Sequence, residues 1–405
     1  MSGDAQRKLV ILMFNMFIAN ASFGIIIPIL PEYLHSIHQG GTAAGLLIAF
    51  FAGSQLLFSP LAGKWADQYG RRKIIIYGLG ILSFSMVVFY MTDLIWIHYL
   101  SRAIGGLGAA MLIPAIFAYI ADITTVEQRA KGHSLISAAM SLGIVIGPGI
   151  GGFLASAGLK MPFLAAAIGS AAAVIFSFIL LGESKKQEHE SPKEMQPKES
   201  LHAKLVLSVK LPYFIPLLIS LVMSFGLVGY ESVLSLFMES RFEASPQQIA
   251  VMITSTGLVS VIVQLLFVEK MVRKFGEYKT IHFFLGLAAV SFFLSLLVNQ
   301  YELFFVITLL IFLATSILRP VVNALISKLA GEQQGFAMGL NNAYMSVGNI
   351  LGPAIAGVVY DVNRIYPFIL SSVFIVVTMI ITIIWEKSMT RNNQTEIVKE
   401  RGEDV

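Results

Sequence analysis

The sequence predicts an all-α integral membrane protein of twelve transmembrane helices, arranged as two pseudo-symmetric six-helix bundles. Three observations carry this. Hydrophobic residues make up 56% of the chain and charged residues only 13%, with a mean hydropathy of +0.77, far from the proportions of a water-soluble domain of this length. Twelve apolar runs are long enough to cross a bilayer, which takes about 20 residues. A motif in the first half of the chain also recurs in the second at a fixed offset.

The runs lie near 9–33, 43–63, 74–92, 95–121, 133–157, 162–182, 211–237, 246–268, 280–298, 302–327, 335–359 and 367–386. Arg7 and Lys8 precede the first, and Ala19-Asn20-Ala21 resembles a signal-peptide cleavage site. The apolar run continues through GIIIPIL, longer than a signal core, so it reads as an uncleaved first helix. With the N-terminus inside, 23 Lys and Arg residues fall on the inner side and only Lys160, Arg241 and Arg364 on the outer. This bias predicts a multi-pass protein of the cell (plasma) membrane with both termini cytoplasmic. Segment 184–210 is charged and contains proline; it reads as a cytoplasmic linker between bundles 1–183 and 211–386, and 387–405 as a cytoplasmic tail.

AAMSLGIVIGPGIGG (138–152) recurs as NAYMSVGNILGPAIAG (342–357), with Gly143/Gly348, Gly147/Gly352 and Pro148/Pro353 offset by 205. Such a parallel duplication is a signature of transporters that rock one half against the other. Gly143, Gly147 and Gly151, like Gly348 and Gly352, form small faces for helix packing, while Pro148 and Pro353 remove an amide and bend the helix. Between the second and third runs, GKWADQYGRRK (63–73) places Asp67, Gly70, Arg71 and Arg72 at the membrane boundary. Asp122, at the inner end of the fourth run, is positioned to meet this cluster as a gate.

Inside the runs, charge is rare and therefore informative. Glu231 sits in SFGLVGYESVLSLF (224–237), about 30 Å along the seventh segment at 1.5 Å per residue, and reads as a cavity-facing acid. Arg102 and Arg319 must each face a cavity or a partner. Gln264, Asn341 and the other amides of the spans more often bond between helices. Phe14, Phe17, Tyr230 and Phe305 are aromatic candidates for an apolar chamber, and Glu32 reads as a surface acid. The absence of cysteine excludes disulfides and thiolate metal sites, and the seven histidines do not cluster at metal spacing, so no metal and no cofactor is expected. No nucleophile–base pair or phosphate loop points to an enzyme, and nothing points to nucleic acid.

The loop at 63–73 resembles the signature loop of the major facilitator superfamily, G-x-x-x-D-x-x-G-R-R/K. LSRAIGGLGAA (100–110) is similar to its fourth-helix motif, with Arg102 as the intramembrane arginine, and GIVIGPGIGG (143–152) to the fifth-helix motif of its proton-coupled drug antiporters. FGIIIPILPEYL, MSFGLVGYES and AGEQQGFAMGLNNAYMSVGNILGP extend the resemblance over both halves to the twelve-helix multidrug efflux pumps of the NorA/Bmr group. The resemblance implies a monomer that exchanges protons for diverse small amphipathic molecules, with the acid at Glu231 in proton coupling and substrate binding. These pumps carry a second acid where this chain has Ser316, in ATSILRP (314–320), leaving one carboxylate against two arginines and favouring neutral, zwitterionic or anionic substrates. The alternatives are a metabolite transporter of the same fold and, with least support, a membrane sensor.

Overall fold

The computed structural model describes residues 3–184, 208–209 and 211–402, so most of the 184–210 linker lies outside the described residues. In lipid every backbone amide and carbonyl must pair within its own segment, and long apolar runs therefore fold as helices. The helices are α1 (Gly3–Gly24), α2 (Leu30–Ser36), α3 (Gly41–Tyr69), α4 (Arg71–Met91), α5 (Ile95–Ile123), α6 (Val126–Leu154), α7 (Met161–Leu180), α8 (Phe214–Phe242), α9 (Pro246–Phe275), α10 (Glu277–Leu297), α11 (Tyr301–Ala330), α12 (Gln334–Val362) and α13 (Tyr366–Gly402). A one-turn 3-10 segment at Ile27–Ile29 joins α1 to α2, and the pair makes the first of 12 spans. Helix α13 continues beyond the apolar stretch that ends at Lys387.

The described residues form two compact units. One holds the residues before the linker together with Glu231–Leu258 and Pro353–Arg364; the other holds the residues up to Tyr230 that follow the linker, Val259–Gly352 and the chain from Ile365.

In the first unit, α5 is wedged between α3 and α4 at its glycines. A Cβ on Gly108 would lie 2.7 Å from the Gly78 carbonyl oxygen, and one on Gly106 would overlap the Phe51 carbonyl. Helix α6 lies on α1 in the same way: a Cβ on Gly143 would sit 2.5 Å from the Phe17 carbonyl oxygen, one on Gly147 2.7 Å from that of Ala21, and one on Gly151 would overlap that of Ile25. Pro148 packs its ring against Gly24.

Away from the Arg71 loop, α3 begins against the end of α12. Asp361 accepts the backbone N–H groups of Gly41 (2.6 Å) and Thr42 (2.8 Å) and the Thr42 hydroxyl. An acid here satisfies two of the four amides that a helix start leaves unpaired and opposes the positive end of its dipole. Nearby, Tyr360 shares a hydrogen bond with Ser240 (3.0 Å), whose carbonyl accepts from Arg364 (2.9 Å).

In the second unit, α12 meets α8 as α6 meets α1. A Cβ on Gly348 would lie 2.6 Å from the Leu221 carbonyl oxygen, and one on Gly352 would overlap that of Phe225.

Candidate functional site

Arg102 and Glu231 come from α5 and α8 to line one small cavity in the first unit. Its walls are otherwise apolar or hydroxylic: Phe23, Ile26, Ile27, Leu30, Leu47, Ile48, Ser232 and Ser235. The cavity holds about 20 Å³, space for about one water molecule. Arg102 sits where α5 is tightly wedged, since one turn on Gly106 admits the α3 backbone at Phe51 and Gly105 admits the Ser85 side chain of α4. Only 5% exposed, its guanidinium lies 5.3 Å from the Phe89 ring centre and 5.9 Å from that of Phe51. Stacking on ring faces offsets part of the desolvation of the charge. Its Nη1 is buried without a hydrogen-bond partner among the described residues, which leaves donor capacity for a carboxylate, a water or a substrate oxygen.

A second cavity, also about 20 Å³, lies within the other unit, where Arg319 meets Thr315, Ser220, Ser224, Met223 and Met345. Ser316 bonds back to the Leu313 carbonyl of its own helix (2.9 Å). Asn341 is buried and donates to Asn323 (2.9 Å). Tyr230, adjacent to Glu231 in sequence, lies in the core of the second unit, where its hydroxyl pairs with Thr308 (2.9 Å) and its ring meets Phe292 and Phe368 edge-on. Phe17 packs against the apolar core of α1, α4 and α5; Phe14 is partly exposed beside Phe176, and Phe305 stacks on Tyr301. Gln264 and Glu32 are exposed.

The signature loop is organised around Arg71. Its Nε lies 3.1 Å from Asp122 and its Nη2 2.8 Å from Asp67, and Asp122 also accepts from Ser184 (2.6 Å). Gly70 has φ of +98°, and a Cβ there would sit 2.9 Å from the Glu183 carboxylate. That carboxylate accepts the Arg72 backbone N–H (3.1 Å), capping α4, while the Arg72 guanidinium donates to the Phe178 carbonyl (2.5 Å) and lies 5.3 Å from the Phe178 ring centre. Glu183 is a partner that the loop motif does not announce, because it arrives from the far end of α7.

The sequence pattern of the Major Facilitator Superfamily matches residues 12–242 and 217–402. The chain belongs to the major facilitator superfamily. It is 41% identical to Multidrug resistance protein 2 of Bacillus subtilis (strain 168) over 385 residues, 95% of this chain and 96% of that protein. It is 35% identical to the Quinolone resistance protein NorA of Staphylococcus aureus (strain COL), over 88% of this chain and 91% of that one. A crystal structure of a bacterial homologue of the human lysosomal transporter Spinster, inward-facing and unoccupied, has the same fold, with a TM-score of 0.80 at 15% identity over 96% of this chain and 98% of that one. This superfamily member is thus a multi-pass membrane protein with the all-α twelve-helix architecture.

Proposed function

We propose that the protein is a proton-coupled antiporter that exports structurally diverse small amphipathic compounds by alternating access. The observation that carries this is the cavity shared by Arg102 and Glu231, an acid and a cation held in apolar walls, in a chain related over nearly its whole length to multidrug resistance proteins. A carboxyl that is hydrated in one state and desolvated in another takes up a proton in the second and releases it in the first. Arg102, with its unpaired Nη1, competes with that proton for the carboxylate.

In this reading the termini, the Arg71 loop and the linker are cytoplasmic, and the membrane is the plasma membrane. The protein works as a monomer and catalyses no covalent reaction. The rocking bodies are 1–183 and 211–386, the 184–210 linker and the 387–405 tail are their cytoplasmic extensions, and Asp67, Arg71, Arg72 and Asp122 form the cytoplasmic gate. The glycine faces at Gly143 and Gly348 keep each body rigid.

The test is a dye and drug accumulation panel in cells expressing the protein, with and without a protonophore. Several unrelated compounds are expelled in a protonophore-sensitive way, and Glu231→Gln, which keeps size but not titration, abolishes uphill export while leaving the protein inserted. Undiminished protonophore-sensitive export by that variant would move proton coupling elsewhere.

A further inference from the structure

One buried titratable group lies outside everything above: His98, the first-turn histidine of α5. It is fully buried, and its ring stacks on Phe89 (centres 4.0 Å apart, planes at 17°). Its Nε2 lies 2.6 Å from the Tyr33 hydroxyl, itself 1% exposed, and that hydroxyl lies 3.1 Å from Asp93 Oδ1. Asp93 in turn pairs with Lys160 (2.7 Å). Tyr33, Asp93 and Lys160 line a cavity of about 470 Å³ with Ser36, Ile37 and Leu159, on the side of the first unit away from the Arg71 loop. A hydrogen-bonded chain therefore runs from that cavity, through Asp93 and Tyr33, to a buried imidazole.

The second ring nitrogen of His98, Nδ1, is buried and has no partner among the described residues. Four residues further along the same helix is Arg102, one turn away and on the same face, whose guanidinium lies over the other neighbour of this cluster, Phe89. The charged groups that reach His98 are thus Asp93 before α5, Arg102 on α5 and Lys160 before α7, with Tyr33 from α2 as its hydrogen-bond partner. Phe89 of α4 and Tyr33 of α2 present their rings to His98, and Phe163 of α7 packs in turn against Phe89 and Tyr33.

We propose that His98 is a proton-uptake site, loaded from the side away from the Arg71 loop through Asp93 and Tyr33, whose protonation disfavours the packed arrangement of α2, α4, α5 and α7 and so opens this face to acid. A proton landing on Asp93 passes to the Tyr33 oxygen while Tyr33 gives its own hydrogen to His98 Nε2. The products are an Asp93 carboxylate, a neutral phenol and an imidazolium, so charge and protons balance. Lys160 holds the Asp93 carboxyl below the usual carboxylate range, so Asp93 relays protons without retaining them. The imidazolium then sits desolvated between aromatic rings, one turn from the Arg102 cation, and like charges in such a setting repel strongly. Unpacking relieves both penalties. The inference rests on the proposed function only in taking this face to be the outer one.

The chain contains no cysteine, so a single introduced thiol reports without background. Leu34, fully buried on α2 and next to Tyr33 in sequence, is the reporter position. In purified Leu34→Cys protein in lipid nanodiscs, maleimide labelling should accelerate as pH falls from 8 to 5, the range in which an accessible histidine titrates. Adding His98→Gln should leave a flat profile, and adding Tyr33→Phe should slow the response to a pH jump by about tenfold. In parallel, ¹⁵N-imidazole spectra of histidine-labelled protein, assigned by the signal lost in His98→Gln, should show both nitrogens of His98 protonated at the acid end. An unchanged pH profile in His98→Gln, or an imidazole that stays neutral while labelling accelerates, overturns the proposal. Neither readout uses transport, so a failure of proton-driven export would count against the proposed function and leave this result standing.

Discussion

Two ion pairs, one in each half of the chain, occupy the same place in the duplicated architecture with their charges exchanged. Arg71 opens α4 and pairs with Asp122 near the end of α5; Glu277 opens α10 and pairs with Lys328 near the end of α11. Positions 71 and 277, like 122 and 328, are 206 apart, within one residue of the offset between the glycine motifs. The N···O distances, 3.1 and 3.0 Å, are nearly equal. Both loops turn through a glycine at positive φ, Gly70 and Gly276, immediately before the helix start. The position therefore asks for a pair linking two helix ends, and either sign can stand at either end. The halves differ in the burial and the further partners of the pair. Both Arg71 and Asp122 side chains are 11% exposed and are shared with Asp67 and Ser184, whereas Lys328 is 66% exposed.

If the difference lies in burial and partners, substitution should separate the two loops in a definite order. The largest effect is expected from Arg71→Glu, which sets two acids beside Asp122 in a nearly buried site and should lower stability by about 3 kcal/mol, within the range for breaking a buried pair. Thermal unfolding in detergent would measure it. The double variant Arg71→Glu/Asp122→Lys, which copies the second half, should recover part of that loss. Full recovery would show that Asp67 and Ser184 contribute nothing.

Next comes Gly70→Ala, expected to cost about 2 kcal/mol, because it forces a side chain into a disfavoured backbone region and against Glu183. Gly276→Ala meets nothing within 4 Å and should cost only the backbone strain, about 1 kcal/mol. Equal losses would mean that the Glu183 cap is irrelevant.

A third comparison uses the helix crossings. Gly147→Ala and Gly352→Ala each drive a methyl into a carbonyl of the facing helix, and each should cost about 1–3 kcal/mol by overpacking. Melting curves that separate the two by more than that span would show that the duplicated crossings are not equivalent. The smallest effect should come from Lys328→Met, which removes an exposed pair worth about 0–1 kcal/mol. Its loss should vanish in molar salt, while that of Arg71→Glu persists.

The architecture was legible because bilayer thickness dictates the length of every apolar run and because the fifth-helix motif repeats within the chain. What stayed illegible was rotation. A soluble helix announces its buried face by an apolar stripe, but a membrane helix is apolar all round. Glu231 and Tyr230 are therefore adjacent in sequence with nothing to say that one lines a cavity and the other enters a core. The same ambiguity put Arg319 and Glu231 together in one expected chamber, whereas each lines a cavity within a different unit. Asp122 was readable from its place opposite the Arg71 loop. His98 was readable in principle, since a spacing of four from Arg102 shares a helix face, but a lone histidine in an apolar run carries no other mark. The exchanged pair at Glu277 and Lys328 was hidden because a comparison that looks for identical residues passes over reversed charges.

The seat of α3 on Asp361 has a genetic consequence. Its main donors are the backbone amides of Gly41 and Thr42, which every residue except proline supplies. Mutations that release this joint will therefore gather on the codon for Asp361 and, on the α3 side, on those of Gly40, Gly41 and Gly45, where any side chain would press on Asp361, Tyr360 or the Pro353 carbonyl.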